Sequence, residues 1–281
     1  MPPPPLTTSD GLTLFTRHWP APAPQRGTLA LVHGYGEHSG RYDHVAAAVA
    51  RAGVSTYAFD LRGHGRSDGR RAYVDHFTQY LDDLSRFLER VRTVAPEGPL
   101  FLFGHSMGGL ISLKYVLDRR PDLRGLLLSA PAIEVNPDLA PLLRRLSQWL
   151  GWLAPTLPTV RSPEGAISRD PDVVAEAEAD PLNYHGRIPA RTGAELLRVG
   201  DDVQGRLGEL DLPFLVLHGT GDLLATPAWS QRLYDQARAA DKTLRLYDGL
   251  YHETFNEPEQ EQVLGDVHDW IAARLPADAT D

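Results

Sequence analysis

The chain has 281 residues, 42% apolar and 23% charged, with a formal net charge of −9. This composition excludes a disordered polymer, and an acidic chain without a Lys/Arg cluster argues against nucleic acid or an anionic membrane as a charge-matched partner. The absence of cysteine excludes disulfides, thiolate metal sites, iron–sulfur clusters and a Cys nucleophile.

The start, Met-Pro-Pro-Pro-Pro, has neither the basic nor the apolar region of a secretory signal. No run reaches the roughly 18 apolar residues of a membrane span, so a cytoplasmic chain is expected. Residues 1–10 are expected to form a flexible tail, because a proline run supports neither helix nor central strand. Leu12–Trp19 reads as an exposed antiparallel strand. Buried strands are predicted at Thr28–His33, Val54–Phe59, Leu100–Phe103, Leu126–Ser129, Phe214–His218 and Thr243–Tyr247. Helical patterns cover 41–52, 74–94, 107–119, 227–240 and 259–274. Such alternation implies a mostly parallel sheet with right-handed crossovers, built from residues 11–131 and 213–276. Residues 277–281 are expected to be a flexible C-terminus.

The alternation breaks over 132–212, a proline-rich insertion. Leu139, Leu142, Leu143, Leu146, Trp149, Leu150, Trp152 and Leu153 recur there at helical spacing. Their apolar face is broad for a helix packed on one side. The crevice of an open parallel sheet lies beyond the carboxyl ends of its strands, so the insertion, with its return helix, is expected to be an apolar lid. An ordinary pair of core helices is the alternative.

The sharpest chemical signal is Leu-Phe-Leu-Phe-Gly104-His105-Ser106-Met107-Gly108-Gly109, an apolar strand running through Gly-x-Ser-x-Gly into a helix. A tight turn of this kind lifts Ser106 above the sheet and aims helix N-terminal amides at a developing oxyanion. A serine hydroxyl needs a base. The partners are expected later, in the order acid then His, each following a strand. Phe214–Asp222 and Leu244–His252 supply those contexts, making Ser106, Asp222 and His252 the predicted triad. His105 is expected to pack behind the site, His218 to make structural bonds, and His268 to lie too far along the last helix. Asp248 precedes His252 by too few residues to serve as its acid. The loop after Thr28–His33 and the residue after the nucleophile normally provide the oxyanion amides, which points to the backbone N–H groups of Tyr35 and Met107. Gly34-x-Gly36-x-x-x-Gly40 misses dinucleotide-binding spacing, and His252-Glu253 does not continue into a zinc-protease motif.

These residues resemble the monoacylglycerol lipase and lysophospholipase-like branch of the α/β-hydrolase superfamily. The matching pieces include His33-Gly-Tyr-Gly-Glu-His-Ser-Gly-Arg-Tyr42, Asp60-Leu-Arg-Gly-His-Gly-Arg-Ser67, Gly104-His-Ser-Met-Gly-Gly109, Asp180-Pro181, His218-Gly-Thr-Gly-Asp222 and Tyr251-His252. The resemblance runs collinearly from about residue 8 to 275. It implies an α/β-hydrolase fold, with a mostly parallel eight-stranded sheet flanked by helices and a helical lid after the sixth strand. It implies the same triad and oxyanion amides, and a polar head-group pocket near Glu37, Arg41 and Asp138. For Glu37 and Arg41 a structural ion pair is the alternative.

The expected activity is therefore that of a serine carboxylester hydrolase cleaving monoacylglycerol-type lipid esters by an acyl-enzyme route, with no metal or organic cofactor. The expected partner is a small lipophilic ester, with at most transient lipid-surface contact through the lid. A lysophospholipase or general carboxylesterase would use the same triad. A peptidase lacks an identifiable site for the peptide amine, and Ser in place of Asp at the elbow disfavours dehalogenation. A catalytically inactive binding protein stands against two complete loop contexts.

Overall fold

The computed structural model describes residues 5–96, 98–134, 149–161, 163 and 165–276. Nine strands are found there. β1 (Leu6–Thr7) and β2 (Thr13–Leu14) pair with each other as an antiparallel ribbon. The main sheet holds β3 (Thr16–Trp19), β4 (Gly27–Val32), β5 (Val54–Phe59), β6 (Leu100–His105), β7 (Gly125–Ser129), β8 (Phe214–Gly219) and β9 (Lys242–Tyr247). Its order is β3-β5-β4-β6-β7-β8-β9, and only β3 is antiparallel to its neighbour.

The sheet thus has seven strands rather than the eight expected, because the chain before Thr16 turns back on itself in the ribbon. Leu6 and Thr8 are buried, so the tail expected over 1–10 is packed from Leu6 onward. For the same reason the insertion follows the fifth strand of this sheet, not a sixth.

The helices are α1 (Asp43–Ala50), α2 (Thr78–Val94), α3 (Met107–Arg119), α4 (Pro171–Ala179), α5 (Ala190–Gln204), α6 (Pro227–Gln236) and α7 (Gln260–Ala272). Successive residues of a strand point to opposite faces, and β4 divides accordingly. Leu29 and Leu31 pack with α1 and α7, whereas Ala30 and Val32 pack with α2, α3, α5 and α6. Both faces of the sheet are covered, which is why its central strands read as continuous apolar runs. Edge strand β9 is half-exposed and carries Lys242 and Arg245, charges that discourage strand addition at an edge.

Within the insertion, residues 149–153 are helical, α4 has no fully buried residue, and α5 returns to the core through Val199 and Val203. Thr192 and Glu195 of α5 accept from the backbone N–H groups of Val74 (3.2 Å) and Phe77 (2.8 Å). The start of α2 is thereby tied to the insertion. Among the described residues no helix is long and apolar enough to cross a membrane.

Candidate active site

The carboxyl ends of β4, β6, β8 and β9 lead into the loops that carry Tyr35, Ser106, Asp222 and His252. Ser106 joins β6 to α3 with φ 51° and ψ −118°, a left-handed conformation that is costly for a side-chain-bearing residue. Bonds on both sides hold it there: Ser106 N–H to Ser129 O (2.9 Å), and the N–H groups of Leu110 and Ala132 to Ser106 O (3.0 Å each). The elbow glycines are required by close approach. A Cβ at Gly108 would lie 2.3 Å from Val32 O, and one at Gly104 would lie 2.4 Å from Gly108 O.

Asp222 and His252 meet because β8 ends in Gly219. A Cβ there would fall 2.1 Å from Leu250 O, so the chain leading to His252 can pass directly over it. His252 Nδ1 lies 2.7 Å from Asp222 Oδ2. The other carboxylate oxygen accepts from the N–H groups of Leu224 (2.7 Å) and Ala225 (3.0 Å). Burial alone would raise the Asp222 carboxyl, but the charge of His252 and hydrogen bonds from His218 and His252 outweigh it and hold it well below the usual carboxylate range. Burial alone would lower His252, and the Asp222 charge and hydrogen bond reverse this, leaving it above the ordinary imidazole value.

Met107 is the first residue of α3, so its N–H has no carbonyl four residues back within the helix and points from the positive helix end. Tyr35 lies in the loop after β4. His33 shapes that loop from below: Nδ1–H donates to Gly34 O (2.7 Å), and Nε2 accepts from Leu61 N–H (2.9 Å). Asp60 Oδ1 takes both the N–H (2.9 Å) and the hydroxyl (2.6 Å) of Ser39. The insertion reaches the same loop through Tyr184 N–H to Gly36 O (2.7 Å) and through His38 Nε2, 2.8 Å from Asp180 Oδ2.

A cavity of about 490 Å³ is lined by Tyr35, Ser106, Met107 and His252 from the core loops and by Val160, Ile167, Val174 and Ile188 from the insertion. Its size is that of an ordinary small-ligand pocket. Glu37 and Arg41 border it, and their polar atoms are bonded to protein groups: to each other (3.3 Å) and, from Arg41, to Glu253. Asp138 lies outside the described residues.

His105, expected behind the site, is buried and also lines the cavity. Its ring centroid is 4.8 Å from that of His252, and burial, with His252 adding, pushes it well below its ordinary pKa. His268 pairs with its neighbour Asp269 on α7, and Asp248 accepts from the exposed Thr220 hydroxyl, at 3.2 Å. His218 does more than the structural bonding expected of it. Its Nε2 lies 3.0 Å from the same Asp222 Oδ2, while Nδ1 is 2.7 Å from Ser230 Oγ. Glu253, which entered the sequence reading only in excluding a zinc-protease motif, is buried beside the candidate base and bonded to Arg41. The available signals were a His four residues before the acid across a glycine turn, and a carboxylate directly after the candidate base.

Residues 23–259 match the family described as serine aminopeptidase, S33. The chain is 40% identical to a monoacylglycerol lipase of Mycolicibacterium smegmatis, covering 94% of this chain and 95% of the relative. It is 34% identical to a monoglyceride lipase of Rattus norvegicus, covering 97% and 91%. Among solved structures, the Paleococcus ferrophilus monoacylglycerol lipase superposes with a TM-score of 0.82 at 31% identity, over 93% of this chain and 99% of that one.

Proposed function

Because the chain belongs to the serine aminopeptidase S33 family, has the α/β-hydrolase fold and is a serine hydrolase of the monoacylglycerol-lipase type, we propose that it hydrolyses monoacylglycerol-type esters to fatty acid and glycerol with Ser106, His252 and Asp222 as its triad. The observation that carries this reading is the 2.7 Å contact of His252 Nδ1 with the buried Asp222, His252 and the elbow serine both lining one cavity.

In this reading His252 Nε2 takes the Ser106 proton as Oγ attacks the ester carbonyl. Asp222 holds the tautomer and stabilises the imidazolium without taking the proton itself. The Tyr35 and Met107 amides receive the tetrahedral oxyanion, a preorganised interaction in which each donor contributes on the order of 3 kcal/mol. His252 then protonates the departing glycerol oxygen, and water releases the fatty acid from the acyl-enzyme by the same route.

The apolar wall contributed by the insertion suits an acyl chain, and the charged border around Glu37 and Arg41 suits a small polar head group. The insertion is then a lid. Its exposed Trp149, Trp152 and Leu153 are the surface that would touch aggregated lipid. A lysophospholipase or carboxylesterase with the same triad differs only at the head-group end. Mono-, di- and triacylglycerols assayed beside lysophospholipids separate these readings, with preferential monoacylglycerol cleavage expected. Fluorophosphonate is expected to label Ser106 by intact mass, and Ser106→Ala is expected to lose about 10⁴-fold or more of kcat. Retention of activity by that variant would refute the mechanism.

A further inference from the structure

A second set of charged groups lies beside the proposed triad. Glu37 is buried. Its Oε1 accepts from Gly34 N–H at 2.5 Å and from the Tyr42 hydroxyl at 2.6 Å, and its Oε2 takes Arg41 Nη1 at 3.3 Å. The same guanidinium makes a two-point bond to Glu253, Nη1 to Oε1 at 2.6 Å and Nη2 to Oε2 at 2.8 Å. Glu253 is also buried, accepts from Asn256 Nδ2 at 2.7 Å, and donates its backbone N–H to Ile167 O at 2.8 Å.

Gly34 directly precedes Tyr35, and Glu253 directly follows His252. An unbroken run of bonds therefore links the loop after β4 to the loop after β9, through carboxylate, guanidinium and carboxylate. A Cβ at Gly34 would lie 2.8 Å from Glu37 Oε1 and 3.1 Å from Ser106 Cβ. The loop is clasped between the Glu37 carboxylate and the elbow.

We propose that Glu37, Arg41 and Glu253 form a brace of positioning residues that fixes the loop carrying the Tyr35 amide against the loop carrying His252. The inference rests on the serine-hydrolase reading above and deepens it. A forked Arg–carboxylate bond defines orientation as well as distance, which a single contact does not. Buried charges are tolerable only when each is paired and hydrogen-bonded, and here Tyr42, Gly34 and Asn256 complete the set. The groups thus serve the loops first, and a head group meets an already committed cluster.

The brace also has an electrostatic consequence. His252 is faced by Asp222, Glu253 and Glu37, whose charges favour its protonated form, and by the His105 ring. Neutralising Glu37 therefore lowers the pH at which His252 becomes a free base.

The test compares Glu37→Gln and Arg41→Met with the parent on p-nitrophenyl butanoate, which has no glycerol head group, and on a monoacylglycerol. The brace predicts that kcat falls on both substrates by a similar factor, on the order of 10²-fold, with KM for the nitrophenyl ester nearly unchanged. It also predicts that the acid limb of kcat/KM moves to lower pH in Glu37→Gln. Unchanged kcat on the nitrophenyl ester, with KM raised for monoacylglycerol alone, would overturn the brace and make the cluster a head-group site. Far-UV circular dichroism and melting check folding. If either variant fails to fold, Arg41→Lys carries the test: it keeps the charge but not the fork, and it is expected to remain impaired in kcat, full activity overturning the proposal. Absence of fluorophosphonate labelling at Ser106 in the parent would instead refute the serine-hydrolase reading itself.

Discussion

Asp222 accepts four hydrogen bonds, from the amides of Leu224 and Ala225 and from the rings of His218 and His252. A carboxylate so occupied can neither rotate nor readily take a proton, which suits an orienting role. The pH dependence follows from His252. Its pKa is raised, it must be unprotonated to act as base, and activity is therefore lost as pH falls through that raised value. kcat/KM on a soluble ester is expected to rise with pH through a midpoint above about 6.5. Asp222→Asn is expected to lower both that midpoint and kcat, the latter by about 10⁴-fold. A parent midpoint below the ordinary imidazole value, measured on p-nitrophenyl butanoate, would contradict this assignment. At this scale the sequence indicated Ser106, Asp222 and His252 through their order and their places after strands. It did not reveal the His218 contact, because no spacing rule says which side chain a strand-end histidine meets once the following turn folds back.

The turn from β6 into α3 is the most local of the elements, and it was legible to within two residues. The apolar strand, the Gly-x-Ser-x-Gly turn and the helix each announce themselves within a short window. The turn works because α3 starts against the end of β4, where Gly108 approaches the carbonyls of Val32 and His33. Gly108→Ala would place a methyl group inside that backbone, which cannot give way as a side chain can. A loss of about 3 kcal/mol is expected from denaturant unfolding, together with loss of activity even under conditions where the variant is folded. A stable, active variant would show that the elbow has more slack than these contacts allow. The insertion was less legible. α4 and α5 lie among prolines, and the inner face of α5, though helical in period, mixes the polar Thr192 and Glu195 with Leu196, Val199 and Val203, so apolar residues alone do not mark it.

At the scale of the whole molecule, two helical layers enclose the sheet, and the cavity lies where the insertion meets the loops at the carboxyl ends of the strands. Trp149, Trp152 and Leu153 are 65%, 66% and 69% exposed, an apolar surface of the sort that marks an interaction site. The double substitution Trp149→Ser with Trp152→Ser is expected to reduce hydrolysis of monoacylglycerol in vesicles by about tenfold or more, and that of dissolved p-nitrophenyl butanoate much less. Equal losses on both would assign the tryptophans to folding or to the cavity instead. The sequence by itself determined the alternation of strands and helices and the order of the loops. These depend on hydrophobic period and turn chemistry, which act between near neighbours, and together they dictate which residues emerge beyond the carboxyl ends of the strands. Only the tertiary structure decided the number of strands in the sheet, the second histidine on Asp222, the shared walls of the cavity and the bond between Arg41 and Glu253, residues 212 positions apart. Contacts at that separation are selected by how loops from different strands pack, and a local pattern carries no record of that choice.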